Sequence, residues 1–475
     1  MKIFQLINGY FKGDGVGNVV TAIDGLLKRQ GHDTGIYDQL LNFEDINNTD
    51  FSEENIVLYH VSMLVDPLVP YLKCRKILVF HNITDPELLI GPGLQQTRNW
   101  CSAGLYDIGG MSGYFESAIV FSEYSKNTLV RLGWDSRKIY EMPIMVRFGN
   151  LAQNYNQELV KRYSDGYTNI IFTGRVFPHK KQEDIIYAFE EYRRVYNKRS
   201  RLFLIGSLGN QNYFNALQAL VQELGISDSV IFTGKAPFEE YLAYYHLADI
   251  FLCMSAHEGF CIPLVEALFF NIPIIAIAGT AIQDTLGGRG VLLDAREPGI
   301  VAQEINHIMS DDAYRKNVIE GEKKRLAELQ PEVVERQYIK VLDKCISASA
   351  RQLIHQTFKE YSALSIGITI PSILRGESQT NIVYGYGAAG HRLLRYMNEE
   401  CVTVTGVCDK GKGGSVEDDI KILTPEDAVQ KYPTANYIIS IQAKKVVKSV
   451  MCMLTGFGIA LDHIYVFDEY CGTIL

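Results

Sequence analysis

The chain has no excess of positive charge. Its 46 lysines and arginines face 55 acids, a formal net charge of -9. Phosphate-backbone binding needs a basic surface, so nucleic acid is excluded as a general partner. No apolar run reaches the ~18–20 residues of a membrane span. No stretch near the start joins a basic segment to a long apolar core. Met1–Ile7 reads as a short strand, and the expectation is a cytoplasmic chain. The nine cysteines are scattered, odd in number and without a close C-x-x-C pair. They read as reduced core thiols, with no zinc site evident. No paired aspartates stand at a strand end as D-x-D, so no metal is expected in catalysis. Asp311-Asp312 and Asp418-Asp419 read as helix starts or loop acids. No feature sets an oligomeric state.

What is present is ordinary globular material, 47% hydrophobic and 21% charged. A length of 475 residues suggests two to four domains. Apolar strands and amphipathic helices alternate from end to end, which predicts α/β layers. The boundaries read as 1–150, 151–330, 331–377 for a crossover helix and linker, and 378–475. In the first segment Ile3–Ile7 is a strand, followed by a loop with Gly9, Gly13, Gly15 and Gly17. A helix then carries Val19, Val20, Ile23, Leu26 and Leu27 on one face. Further strands are Ile56–Tyr59, Ile77–Phe80 and Ala118–Phe121, with His60 and His81 at two of their ends. Gly91 to Phe115 is glycine-rich and poorly periodic, and reads as an irregular acceptor loop or lid. In the second segment Asn169–Phe172 ends in Thr173-Gly174-Arg175, with Lys180 and Lys181 just beyond. An arginine fork and a lysine point charge at a strand end suit a phosphate. The basic run Arg193-Arg194, Lys198-Arg199 and Arg201 reads as a solvated face, with peripheral contact at the inner membrane face as the lesser alternative.

The most informative stretch is Ser255-Ala256-His257-Glu258-Gly259-Phe260-Cys261-Ile262-Pro263-Leu264-Val265-Glu266. It follows the apolar run Asp249–Cys253. Pro263 suits a first helical turn. On one continuous helix the two glutamates would lie roughly 80° apart, so they converge only if Glu258 is in a loop and Glu266 on the helix. The free amides at such a helix start favour an anion. This stretch resembles the Glu-x7-Glu signature of retaining nucleotide-sugar glycosyltransferases of the group 1, family 4-like type. That resemblance covers about residues 1–347 and implies a GT-B fold of two facing Rossmann-like domains. It implies catalytic roles for Glu258, Arg175, Lys180 and His81, with His60 as second choice for the histidine. It implies donor contacts from Gly15, Gly17, Gly174, Gly259, Phe260, Cys261 and Glu266, the last on the ribose. Ser122-Glu123-Tyr124-Ser125 also looks like the family. Cys261 stands where the family more often has glycine, and Gln283-Asp284 where it more often has Pro-Glu.

The implied reaction moves a sugar from a nucleotide-diphosphate-sugar to a glycan, lipid-linked or protein acceptor in surface polysaccharide synthesis. No cofactor takes part in catalysis. The rivals are a GT-B epimerase or phosphorylase and a non-catalytic nucleotide-sugar binder. After Asn381 a third, smaller Rossmann-like module begins. The strand Ile382–Tyr384 meets Gly385, Gly387 and Gly390, and a strand Val402–Cys408 ends at Asp409. These four residues have the spacing of a dinucleotide fingerprint. The glycines serve either a second nucleotide or only the turn. No Tyr-x3-Lys pair follows, so no oxidoreductase is expected.

Overall fold

The computed structural model describes every residue except 11–14, 40, 42–48, 67, 348–371, 376–378, 400, 418–419, 442–443, 461–462, 469–472 and 475. Gly13 and Asp418-Asp419 therefore lie outside the described residues. Two compact units divide near residue 354.

The first unit holds two parallel sheets. One contains β1 (Lys2–Ile7), β2 (Asp33–Asp38), β3 (Ile56–Val61), β4 (Arg75–Phe80), β5 (Ser117–Val120) and β6 (Ile139–Glu141), in the order β2-β1-β3-β4-β5-β6. The other contains β7 (Thr168–Thr173), β8 (Ser200–Ile205), β9 (Val230–Gly234), β10 (Ile250–Cys253), β11 (Ile274–Ile277) and β12 (Val291–Leu293), in the order β12-β11-β10-β7-β8-β9. Every residue of β3 and of β7 is buried. Strands covered by helices on both faces read as continuous apolar runs, which is why these were visible. The helix Gly15–Arg29 buries the five residues expected of its face. The helix Gln182–Val195 likewise buries Ile185, Ile186 and Phe189. One apolar cluster runs through both sheets, from Ile3 to Cys345. The helix Pro331–Ser347 returns to the first sheet. Arg75 donates to the carbonyls of Cys345 (2.9 Å) and Ile346 (2.8 Å), and Arg29 pairs with Glu335 at 2.8 Å. Asp311 caps the helix Asp312–Glu328 through the amides of Ala313 and Tyr314.

The second unit has β13 (Asn381–Tyr384), β14 (Gly406–Cys408), β15 (Val416–Glu417), β16 (Ile420–Leu423), β17 (Asn436–Ile439), β18 (Ile464–Asp468) and β19 (Thr473–Ile474). Their order is β15-β16-β14-β13-β17-β18-β19. The central five are parallel and the two edges antiparallel. In all three sheets the chain order reverses beside the first strand, at β1/β3, β7/β10 and β13/β17. Ligands of open α/β sheets gather in the crevice at such a reversal.

Four expectations need correction. Gly91 to Phe115 is not an irregular loop: Gln95–Gly110 is a helix and Ser112–Tyr114 a 3-10 turn. The buried line of that helix is Cys101, Gly104, Asp107 and Ile108, too small and polar to show as an apolar stripe. Gly104 is required there, because a Cβ would stand 1.8 Å from the carbonyl oxygen of Met63. The strand expected from Val402 begins only at Gly406. The preceding residues close the helix Ala388–Glu399, with Cys401 left-handed and the Val402 amide bonded to the Met397 carbonyl. The cysteines are not all core thiols, since Cys401 and Cys452 are exposed. Nor is Arg201 solvated: it pairs with Asp165 and lies over the ring of Tyr167. Among the described residues no helix is long and apolar enough to cross a membrane.

Glu322 ties the helix Asp312–Glu328 to β11 by accepting from the amide of Ile274 at 2.8 Å, with its other oxygen unpartnered among the described residues. Burial pushes its carboxyl up from the ordinary 4.5 to about 8. The folded state therefore holds this proton more tightly than the unfolded chain. The contribution is full below about 4.5 and is lost as pH rises to about 8, at up to ~1.4 kcal/mol per pH unit. Denaturant unfolding across that window should show stability falling with pH in the parent and a flatter profile in Glu322→Gln. Equal slopes would show that Glu322 does not hold the proton.

Candidate functional site

The site grows from the reversal at β7/β10. After β7 the chain runs through Gly174 and Arg175 to a 3-10 turn, Pro178–Lys180. It packs tightly here: a Cβ on Gly174 would meet the Phe172 ring at 2.9 Å, and one on Gly206 would meet the Gly174 carbonyl oxygen at 2.2 Å. The turn brings Lys180 Nζ to 2.7 Å from Glu258 Oε1, in the loop after β10, with side chains 18% and 7% exposed. Burial alone would lower the Lys180 ammonium, but Glu258, aided by Cys261, outweighs it and the net shift is upward. Arg175 stands apart and exposed, its stem against Gly209.

The loop after β10 leads into the helix Ile262–Phe269, with Pro263 in its first turn. Cys261 at its N-cap adopts φ 69°, ψ 71°. That conformation costs a side-chain-bearing residue about 1–2 kcal/mol and costs glycine nothing, which explains the family's usual choice. The Glu258 amide donates to Thr280 Oγ1 (3.2 Å), and the Thr285 hydroxyl donates to the Phe260 carbonyl. One helical turn on, Glu266 Oε2 accepts from the hydroxyls of Tyr241 (2.5 Å) and Tyr245 (2.8 Å). Burial raises the Glu266 carboxyl, and the two tyrosines partly offset this. Its Oε1 has no partner among the described residues. The residue borders a cavity of about 130 Å³ with Asn18, Thr21, Asn150, Phe238 and Ile262.

The first sheet supplies the facing wall. Gly259 abuts it: a Cβ there would stand 2.7 Å from the His81 carbonyl oxygen and 3.0 Å from Asn82 Cβ. Ser122 Oγ donates to the Gly259 carbonyl at 3.0 Å. Asp284 Oδ2 accepts the Tyr124 amide (2.9 Å) in the first turn of the helix Glu123–Arg131, where a carboxylate is favoured. Gly15 opens the helix Gly15–Arg29 and lies near Ile262, while Gly17 is buried one turn in. His81 Nε2 is 2.9 Å from His60 Nδ1, and His60 Nε2 is 3.0 Å from Gln5 Oε1. Gln5 Nε2 donates to the Val20 carbonyl at 3.0 Å. That last bond orders the chain. His60 donates from Nε2, His81 donates from Nε2, and the lone pair of His81 sits on Nδ1. Burial takes the His81 imidazolium down to about 3 and His60 well below its ordinary range, so both rings are neutral at pH 7.

Lys180, Glu258, Gly259, Cys261 and His81 thus come together, with Glu266 one helical turn away, while Arg175 stands apart. Asp284 entered the sequence reading only as a departure from the family pattern, and Tyr241, Tyr245 and Thr280 escaped it. So did His257, which is 6% exposed, with neither ring nitrogen partnered among the described residues; burial takes it down to about 4. The turn at Pro92 also reaches the second sheet's side, where Asn212 donates to its carbonyl at 3.1 Å.

In the second unit Gly385 is left-handed at φ 102°, and a Cβ on Gly390 would stand 2.0 Å from the Gly385 carbonyl oxygen. Gly387 faces open space. Asp409 accepts from the amides of Tyr386 (2.8 Å), Gly411 (2.7 Å) and Lys412 (3.0 Å).

Residues 157–325, the stretch that holds the second sheet and its loops, match the family model described as Glycosyl transferases group 1. A D-inositol 3-phosphate glycosyltransferase of Corynebacterium efficiens is 29% identical over 150 residues, 31% of this chain and 35% of that protein. A GDP-mannose-dependent alpha-(1-6)-phosphatidylinositol monomannoside mannosyltransferase of Mycolicibacterium smegmatis is 27% identical over 151 residues, 30% of this chain and 38% of that protein. The matches span about a third of these relatives' length. Among solved structures, Anabaena HepE in complex with UDP and glucose aligns at TM-score 0.55 and 15% identity, over 72% of this chain and all of that one. WaaG, a glycosyltransferase involved in lipopolysaccharide biosynthesis, aligns at TM-score 0.55 and 12% identity, over 73% of this chain and 100% of that one. The likeness is one of fold, the GT-B arrangement of two parallel sheets.

Removing one partner of a buried ion pair strands the other charge, at about 3–5 kcal/mol. Lys180→Met should therefore destabilise the chain by about 3 kcal/mol. Adding Glu258→Gln should recover most of that loss in a double-mutant cycle read by denaturant unfolding. Additive losses would show that the two side chains are not coupled.

Proposed function

We propose that this chain is a retaining, metal-independent glycosyltransferase that moves a sugar from a nucleotide-diphosphate-sugar to a glycan, lipid-linked or protein acceptor. The observation that carries the reading is the Lys180–Glu258 pair at the strand reversal, one turn ahead of Glu266 and beside a helix start. Glu266 offers Oε1 to the ribose hydroxyls while Tyr241 and Tyr245 hold Oε2. The amides of Gly259–Cys261, with Arg175 and Lys180, take the diphosphate. Gly15 and Gly17 let the first sheet's loop approach it. Glu258 turns to the sugar once phosphate replaces it as the partner of Lys180. As the glycosyl–phosphate bond breaks through an oxocarbenium-like state, negative charge grows on the leaving diphosphate. Arg175, Lys180 and the helix start stabilise it as it develops. His81, neutral with its lone pair on Nδ1, accepts a hydrogen bond from the sugar and does not transfer a proton near neutral pH.

The phosphatidylinositol monomannoside in the mannosyltransferase relative's name supports a lipid-linked acceptor. In the second unit we read Asp409 as the clasp of its glycine loop and not as a ribose ligand, because its carboxylate already takes three backbone amides.

A thermal-shift screen of UDP-, GDP-, ADP- and TDP-sugars should identify one donor that raises the melting temperature. With that donor, Arg175→Ala and Lys180→Ala should each slow turnover ~100–1000-fold. Glu266→Ala should weaken free nucleoside diphosphate, and Glu258→Ala should weaken the sugar-bearing donor more than the free diphosphate. EDTA should leave the rate unchanged. Wild-type rates in both cation variants, or strict metal dependence, would sink the mechanism.

A further inference from the structure

Two cysteines flank the carboxylate assigned to the donor sugar. Cys253 ends β10, Cys261 caps the helix Ile262–Phe269, and Glu258 lies in the loop between them. All three are buried, and their two Sγ atoms and a carboxylate oxygen lie within 4.8 Å of one another. We propose that Cys253, Glu258 and Cys261 form a site for one thiophilic divalent cation of the zinc class, and that filling it withdraws Glu258 from the donor. The second half rests on the donor-site reading above; the first does not.

The ligand set decides the class of ion. Thiolates select zinc and its heavier congener cadmium over magnesium and calcium. In a tetrahedral zinc site with Zn–S bonds near 2.3 Å, ligand atoms stand about 3.8 Å apart. The three atoms here need to close by no more than about an ångström to reach that spacing. Three protein ligands leave a fourth position for water. Charge balances as well. Binding displaces both thiol protons, so that M2+ and two Cys–SH give M(S–Cys)2 and two H+. Two thiolates and the Glu258 carboxylate then face the cation and the Lys180 ammonium, three negative charges against three positive. A buried cluster that sums to zero avoids the cost of an unpaired charge. Lys180 takes Oε1 of Glu258, and a carboxylate keeps further lone pairs for an ion. Cys261 adds a separate pointer, since it keeps a side chain at φ 69° where glycine would be unstrained.

The test is a cadmium titration of the reduced full-length chain, with the exposed Cys401 and Cys452 changed to Ser. Ultraviolet thiolate-to-cadmium charge-transfer absorption should saturate at one ion per chain. Cys253→Ala and Cys261→Ser should each abolish the band, and Glu258→Gln should weaken binding at least ~10-fold. Circular dichroism checks that the variants are folded. No saturable band, or one that survives both cysteine variants, overturns the site. Zinc should also weaken the donor chosen by the thermal-shift screen ~10-fold or more in the parent and leave its affinity unchanged in Cys253→Ala. Unaltered donor affinity beside an intact cadmium band overturns the withdrawal of Glu258. A one-ion band in a chain that binds no nucleotide sugar upholds the cation site and sinks the transferase reading.

Discussion

The cleft depends on one charge balance, between a lysine and a glutamate taken out of water at the carboxyl ends of two adjacent parallel strands. Neither Lys180 nor Glu258 could be buried alone, since an isolated charge in the interior costs several kcal/mol. Their pairing fixes how the loop after β7 meets the loop after β10. It also holds a cation in position at the strand ends, beside a helix start. The strand reversal supplies the geometry, because β7 and β10 are neighbours in the sheet although about eighty residues separate them in sequence.

The two sheets of the first unit meet through a few polar contacts rather than a broad apolar seam at this point. Ser122 reaches the Gly259 carbonyl, Asp284 reaches the Tyr124 amide, and the backbone of Gly259 lies against that of His81. Any side chain at position 259 would hold the walls apart. The same residue is therefore the spacer that sets how closely the two walls approach. In this way the Glu-Gly-Phe run links local backbone chemistry to the relative placement of two sheets.

Much of this was legible because local demands and tertiary roles coincide. The buried strands read as apolar runs, Pro263 marked a helix start, and the glutamates fell on either side of it. What escaped depends on chain crossings that no local pattern encodes. Tyr241 and Tyr245 reach Glu266 only because their helix precedes a strand inserted beside β7. Asp284 meets an amide 160 positions away. The helix Gln95–Gly110 was missed because its buried line is small and polar, chosen for close approach and not for apolar area. Cys253 and Cys261 looked scattered because the loop that folds them together has no periodicity. The fingerprint at Gly385–Gly390 was visible, but its terminal acid turns back onto the loop itself.

The imidazole of His257 carries a further consequence. It is held largely away from water, and neither nitrogen has a partner among the described residues; each such group costs about 1–3 kcal/mol. A molecule that hydrogen-bonds this ring would recover that cost, so the unmet imidazole rewards an occupant able to reach it by roughly 5- to 150-fold in affinity over the same range of energies.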